Sequence, residues 1–284
     1  MFGAKITFFT NITKKVQKYL VLLFGLSIFA LRITSKTKQM ELNCIKQQDC
    51  LVFLKSLSDS CVNTIVTSPP YNKGYWSRNR NINNGFHTKS RCIEYENFND
   101  CMEPEAYEAW QRAILDECLR VLKPDGSLFY NHIDILCEHN TIHPSFVYDY
   151  PIKQIIIWNR GNTPKLDNTY FFPISEYIFW IKKSVDARPK FYKDKATYKK
   201  CIWDFQAERN NNHPAPFPLN LAENCIACTT NQGDLVLDPF MGSGTTALAA
   251  VRTKNNYIGC DTSADYVAMA EKRIKDYNRQ LSLF

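Results

Sequence analysis

Leu235-Val236-Leu237-Asp238-Pro239-Phe240-Met241-Gly242-Ser243-Gly244-Thr245-Thr246 decides the fold. The apolar run Leu235 to Leu237, closed by an acid, predicts a short buried strand; Pro239 and two glycines then turn the chain, and Ala247 to Arg252 continues as a helix. Tyr257-Ile258-Gly259-Cys260-Asp261 reads as a second strand that also ends in an acid, with a helix from Ala264 to about Tyr277 behind it. This is a βαβ unit with a glycine turn, the building block of a parallel sheet. Gly242 and Gly244 let the backbone approach a ligand closely, and the Asp261 carboxylate is placed to accept hydrogen bonds from ribose hydroxyls. The pattern describes a site for a nucleoside-bearing cofactor. It departs from both GxGxxG and a Walker A lysine, so neither a dinucleotide nor a triphosphate is the favoured ligand.

Upstream, from Met40, strands and helices alternate, which argues for an α/β fold with a largely parallel sheet. Val62 to Val66 is a β-branched apolar run that leads straight into Thr67-Ser68-Pro69-Pro70. Pro104 stands where a first-turn proline would, and Tyr107, Trp110, Ile114, Cys118 and Val121 recur at helical spacing until Lys123-Pro124-Asp125-Gly126 ends the helix. Leu128 to Tyr130, Ile155 to Trp158 and Glu176 to Ile181 are read as further buried strands, and their aromatic residues as core.

Ser68-Pro69-Pro70-Tyr71 holds the parts needed to grip a planar amine. Two prolines stiffen the backbone so that a carbonyl excluded from any ladder faces the site, Ser68 adds a hydroxyl oxygen, and Tyr71 an aromatic face. The exocyclic amino nitrogen of a nucleobase is a poor nucleophile because its lone pair is delocalised into the ring. Hydrogen bonds from its two N–H groups to Ser68 Oγ and the Pro69 carbonyl favour a more tetrahedral nitrogen and free the lone pair for attack on an electrophilic methyl group.

With these residues in place, the chain resembles the β-class DNA amino-methyltransferases, which form N4-methylcytosine or N6-methyladenine. Ser68 to Tyr71 is similar to their (D/N/S)PPY catalytic motif, Phe240 to Gly244 to their FxGxG cofactor motif, and His213-Pro214-Ala215-Pro216-Phe217-Pro218 to the His-Pro-rich segment that precedes it. The resemblance covers about Met40 to Tyr277. It implies a Rossmann-like S-adenosylmethionine-dependent methyltransferase fold, permuted so that the catalytic motif precedes the cofactor motif, and that order favours DNA as substrate. It further implies a cofactor site with Asp238, Phe240, Gly242 and Gly244, and Thr245 beside them, on the methionine side and Asp261 at the ribose. Asp49, in Gln48-Asp49-Cys50, stands where the family has Gly-Asp near the adenine, although the Gly is absent here. His213, Pro214 and Phe217 belong to the same site, with His213 a shaping residue and not a base, because amine methylation needs no strong base before attack. The target base must leave the duplex to reach Ser68, and Tyr71 would stack on it.

The net charge of +7 suggests a polyanionic partner, but its location qualifies the suggestion. Residues 1–39 hold seven Lys and Arg and no acid, so the remaining 245 residues balance at 28 of each sign. DNA contact must therefore rest on local patches. Two are expected: a polar loop at 77–100 with Arg78, Arg80, Lys89 and Arg91, and a surface insertion at 184–201 with Lys195, Lys199 and Lys200.

The division into residues 1–39 and a catalytic domain over 40–284 follows from an abrupt change of composition at Met40. Tyr19 to Leu31 is an apolar run of 13 residues, shorter than the ~20 that span a bilayer, and no small-residue cleavage site follows it. Translation beginning at Met40 is the favoured reading, and no membrane partner is expected. Eleven scattered cysteines fit a reduced, cytoplasmic chain; Cys225 and Cys228 form a lone CxxC that reads as two helix positions, so no metal is expected.

The expected partner is double-stranded DNA, with a cognate restriction endonuclease and a homodimer as further candidates. On the base, Ser at the first motif position favours cytosine N4 over adenine N6. A different class of reading, a catalytically silent DNA-binding specificity protein, is disfavoured by the two intact motifs.

Overall fold

Every residue of Val62–Thr67 (β2) is buried, as a central strand covered on both faces must be. The computed structural model describes residues 40–78, 100–136, 141–161, 171–206 and 218–281, without the side chains of 76–78. By its contacts the chain separates into two units, Met1–Met40 and Glu41–Phe284, and the second carries the sheet.

Around β2 the strands are Cys44–Gln47 (β1), Leu122–His132 (β3), Ile152–Asn159 (β6), Ser175–Lys182 (β7), Ile202–Asp204 (β8), Leu235–Asp238 (β9) and Asn256–Asp261 (β10). Ile135–Leu136 (β4) and Thr141–Ile142 (β5) form a separate small ribbon. The main sheet runs β1-β10-β9-β2-β3-β7-β6-β8, and only β7 opposes the others, lying antiparallel between β3 and β6. The described helices are Cys50–Lys55 (α1), Lys73–Arg78 (α2), Pro104–Val121 (α3), Leu219–Ala227 (α4), Thr245–Arg252 (α5) and Ala264–Leu281 (α6). Helices α1 and α3 pack together, and α4, α5 and α6 form a second group. The core joins Val66, Phe129, Trp158 and Ile178 of the strands to Leu221, Cys225, Ala249 and Ala270 of the helices. Among the described residues no helix is long and apolar enough to cross a membrane.

The strand order reverses between β9 and β2. From β9 the chain crosses through α5 to β10 on one side; from β2 it crosses through α3 to β3 on the other. At such a switch point the loops diverge and leave a crevice at the C-terminal ends of the strands. Both sequence motifs leave the sheet there, because Ser68 follows β2 and Pro239 follows β9.

Two sequence expectations change. Trp110 is not core with the rest of its helical stripe; it is half-buried, with its ring 5.7 Å from that of Phe240. The stretch at 184–201 is exposed over much of its length but is not a free insertion: Tyr192 N–H donates to Cys228 O, Lys190 pairs with Asp125, and Ala196 is buried.

Candidate active site

Ser68 follows the last residue of β2 because the two prolines lack the N–H that a ladder needs. The carbonyl of Pro70 is occupied: Tyr107 Oη donates to it at 2.9 Å and Gln111 Nε2 at 3.2 Å. Gln111 also donates to Tyr107 Oη and accepts from Tyr130 Oη. His132 Nε2 lies 2.9 Å from Tyr107 Oη and its Nδ1 meets the backbone of Ile133. Burial pushes the His132 pKa down to about 4, so the ring stands neutral and bridges the two. These groups fasten the Pro-Pro turn. Among the described residues none donates to the Pro69 carbonyl, which is the backbone acceptor left for a ligand.

The side of the cradle toward β7 is polar. Ser68 Oγ lies 2.6 Å from Tyr71 Oη, and Asn131 Nδ2 donates to Tyr71 Oη and to Glu176 Oε2, each at 2.7 Å. Arg160 NH1 donates to Glu176 Oε1 at 3.0 Å. The Tyr71 ring rests against His132, with centroids 4.9 Å apart, and the Lys73 ammonium lies 4.9 Å from its centroid. Burial lowers the Lys73 pKa while Glu176 opposes the shift. Among the described residues Asn131 Oδ1 and Arg160 Nε are buried without a partner, a polar surplus suited to a polar guest. Sequence reading missed Lys73, Tyr107, Gln111, Asn131, His132, Arg160 and Glu176. The one available signal was a Glu opening an otherwise apolar strand.

Across the crevice, Gly244 has φ +80° and a Cβ there would stand 2.6 Å from that of Ala270, so the turn packs on α6 only with glycine. Arg273 of α6 donates to Ser243 O at 2.9 Å and reaches Thr245 Oγ1 at 3.3 Å. Asp261 Oδ2 accepts from Gly242 N–H at 2.8 Å and Oδ1 from Ser263 N–H at 2.9 Å, and burial raises its pKa. Asp49 caps α1 through Oδ1 and follows β1, whose Gln47 pairs with Asp261. Asp49, Asp261, Gly242, Gly244 and Phe240 are therefore brought to one end of neighbouring strands. The residues fit a nucleoside: two carboxylates at adjoining strand ends for hydroxyl and amine donors, and an aromatic wall from Phe240 and Trp110.

Asp238 departs from its expected role. It is 1% exposed, and both oxygens are taken within the protein, by Thr67 Oγ1 and Phe240 N–H on one side and Thr246 Oγ1 on the other. Lys195 is also displaced from its expected place. Its ammonium holds Thr230 O and Asn231 Oδ1, just ahead of β9 and at the opposite end of the sheet from Ser68. Lys199 and Lys200 are exposed on the outer edge, before the Ile202–Ile157 pair. Arg78 ends α2 beside the catalytic turn; Arg80, Lys89, Arg91, His213, Pro214 and Phe217 lie outside the described residues. Cys225 and Cys228 are packed in and below α4, with burial pushing Cys228 up to about 12.

A Rossmann-like sheet whose switch point joins a glycine turn to a Ser-Pro-Pro-Tyr amine cradle is the architecture of an S-adenosylmethionine-dependent methyltransferase. The chain belongs to the N6/N4 DNA amino-methyltransferase family: the family model described as DNA methylase matches residues 62–272. It is 27% identical to Type II methyltransferase M.BglII of Bacillus subtilis over 275 residues, covering 84% of this chain and 70% of that one. It is 24% identical over 271 residues to DNA adenine methyltransferase YhdJ of Escherichia coli (strain K12), covering 82% and 83%. Among solved structures it resembles PvuII DNA methyltransferase (cytosine-N4-specific), with TM-score 0.61, 20% identity and 86% and 96% coverage. A putative DNA modification methylase from Thermus thermophilus, complexed with S-adenosyl-L-methionine, matches with TM-score 0.59 at 25% identity, covering 81% and 92%. S-adenosylmethionine is accordingly the cofactor and DNA the substrate.

Proposed function

We propose that the protein methylates the N4 amino group of cytosine in duplex DNA after flipping the base out of the helix. Transfer to an amino nitrogen is supported by the neutral acceptor pair at the cradle, Ser68 Oγ and the Pro69 carbonyl, with the Pro70 carbonyl already engaged by Tyr107 and Gln111. The choice of cytosine rests on Ser at the first position of the motif. When bound, S-adenosylmethionine supplies the methyl group. Ser68 and Pro69 take one amine N–H each, which directs the nitrogen lone pair away from the base plane. Tyr71, fixed by Asn131, offers its ring to the base. Adenine N6 is the second reading, favoured by the similarity to a named adenine methyltransferase.

Duplex DNA approaches the end of the sheet that carries Ser68. The expected DNA contacts Arg80, Lys89 and Arg91 fall in the sequence between α2 and Asp100, whose carboxylate accepts from Gly74 N–H at 3.0 Å, and lie outside the described residues. Digesting DNA from cells that express the protein and identifying the methylated nucleoside by mass spectrometry tests the base. N4-methylcytosine is expected; N6-methyladenine alone would replace the first reading by the second. A cognate endonuclease and a homodimer are tested by restriction challenge of the methylated DNA and by sedimentation.

A further inference from the structure

The backbone ladder between β2 and β9 is short. It pairs Thr64 with Val236 and Ile65 with Leu237 and goes no further, so the strands part before either reaches its loop. One loop holds the amine cradle and the other the cofactor turn. A methyl transfer between them needs donor and acceptor held in register to within tenths of an ångström, yet the backbone pairing of these two strands stops at Ile65 and Leu237.

A side chain spans them instead. Asp238 Oδ1 accepts from Thr67 Oγ1 at 2.7 Å, and Thr67 is the residue before Ser68. The same oxygen accepts from Phe240 N–H at 3.0 Å, inside the cofactor turn. Asp238 Oδ2 accepts from Thr246 Oγ1 at 2.7 Å, in the first turn of α5, and that hydroxyl also lies 3.2 Å from Val66 O. All three side chains are at most 1% exposed, so water does not compete for these bonds. Burying a carboxylate is costly, and a threonine pair alone would link two strands at less expense. A carboxylate has an advantage in geometry: it is rigid and planar, and accepts from three donors at once.

We propose that Asp238 is a positioning residue for methyl transfer, a strut that sets the spacing between the Ser68 cradle and the cofactor turn through Thr67 and Thr246. This rests on methyl transfer to a DNA amino group and is indifferent to which base is modified. Thr67→Val removes one prong at nearly constant volume, and Thr246→Val removes the other. Each should leave the dissociation constants for S-adenosylmethionine and for DNA within about twofold, since both hydroxyls are spent on partners inside the protein. The single-turnover methylation rate at saturation of both should fall about tenfold or more, because a small misplacement is felt in the rate. Thr67→Ser, which keeps the hydroxyl, should restore the rate to within about threefold of the parent. A parent-like rate in both valine variants overturns the proposal. So does a defect that appears wholly in cofactor affinity, or one that the serine variant fails to restore. If one valine variant does not fold, the other decides.

Discussion

The Gly242 amide donates to Asp261 Oδ2 at 2.8 Å, so the glycine turn and the acid that closes the next strand are one hydrogen-bonded unit. The turn is shaped by the same carboxylate that we propose faces the nucleoside. Asp261 serves Ser263 N–H with its other oxygen.

Asp261→Asn therefore cannot satisfy both amides. An asparagine has one acceptor oxygen, and either flip turns an N–H₂ group toward a backbone donor. The variant should lose about 1–3 kcal/mol of stability. Its affinity for S-adenosylmethionine should fall at least about tenfold, equivalent to about 1.4 kcal/mol. Calorimetry checks the second figure, and unchanged affinity would remove Asp261 from the site.

Glu176 and Arg160 pair at 3.0 Å with Glu176 buried and Arg160 partly so, and Asn131 depends on the same carboxylate. Glu176→Ala should destabilise by about 3 kcal/mol, because it leaves a half-buried guanidinium unmatched. Arg160→Ala combined with it should cost less than the sum of the two singles by more than about 1 kcal/mol. A urea double-mutant cycle measures the coupling; additive values would mean that the pair is not coupled.

Two buried groups pull the pH dependence of stability in opposite directions. Burial raises Asp238 from 3.8 to about 6, so the folded state holds its proton more tightly, and the stability this contributes is lost as pH rises from about 4 to 6. Burial lowers His132 from 6.5 to about 4, so its contribution is lost as pH falls through the same window. Asp238→Asn should make the slope of stability against pH more positive, and His132→Gln more negative, by up to about 1.4 kcal/mol per unit each. Urea midpoints at three pH values between about 4.5 and 6.5 check this, and shifts of the same sign in both variants would contradict it.

For DNA, the placement of Lys195 reverses a sequence expectation. Its ammonium is engaged with Thr230, Asn231 and the Tyr192 ring at the far end of the sheet. Lys195→Gln should leave the log–log salt dependence of DNA binding unchanged. Replacing Arg80, Lys89 and Arg91 by Gln should reduce the slope by roughly one unit for each phosphate no longer neutralised. The opposite pattern would move the interface.

The motifs were legible because each is local. Ser68 to Tyr71 and Phe240 to Gly244 are short runs whose backbone demands, prolines that refuse a ladder and glycines that tolerate close packing, can be read without knowing what surrounds them. Their neighbours were not legible. Asn131 and Glu176 lie 60 and 105 residues from Tyr71 in the chain, and nothing in strands of mostly apolar residues says that a polar residue near one end will meet a distant tyrosine.

The sequence by itself determined the α/β alternation, the two motifs and their order, since hydrophobic period and turn chemistry act over a few residues. Tertiary structure alone decided which charged groups meet the crevice. Asp238, expected at the cofactor, turns inward to Thr67 and Thr246, and Lys195, expected at DNA, holds the far end of β9. The reason is that a strand's periodicity sets which face a side chain leaves from, whereas the register between strands sets its height. That height decides whether a carboxylate or an ammonium stands among ligands or among the protein's own donors and acceptors.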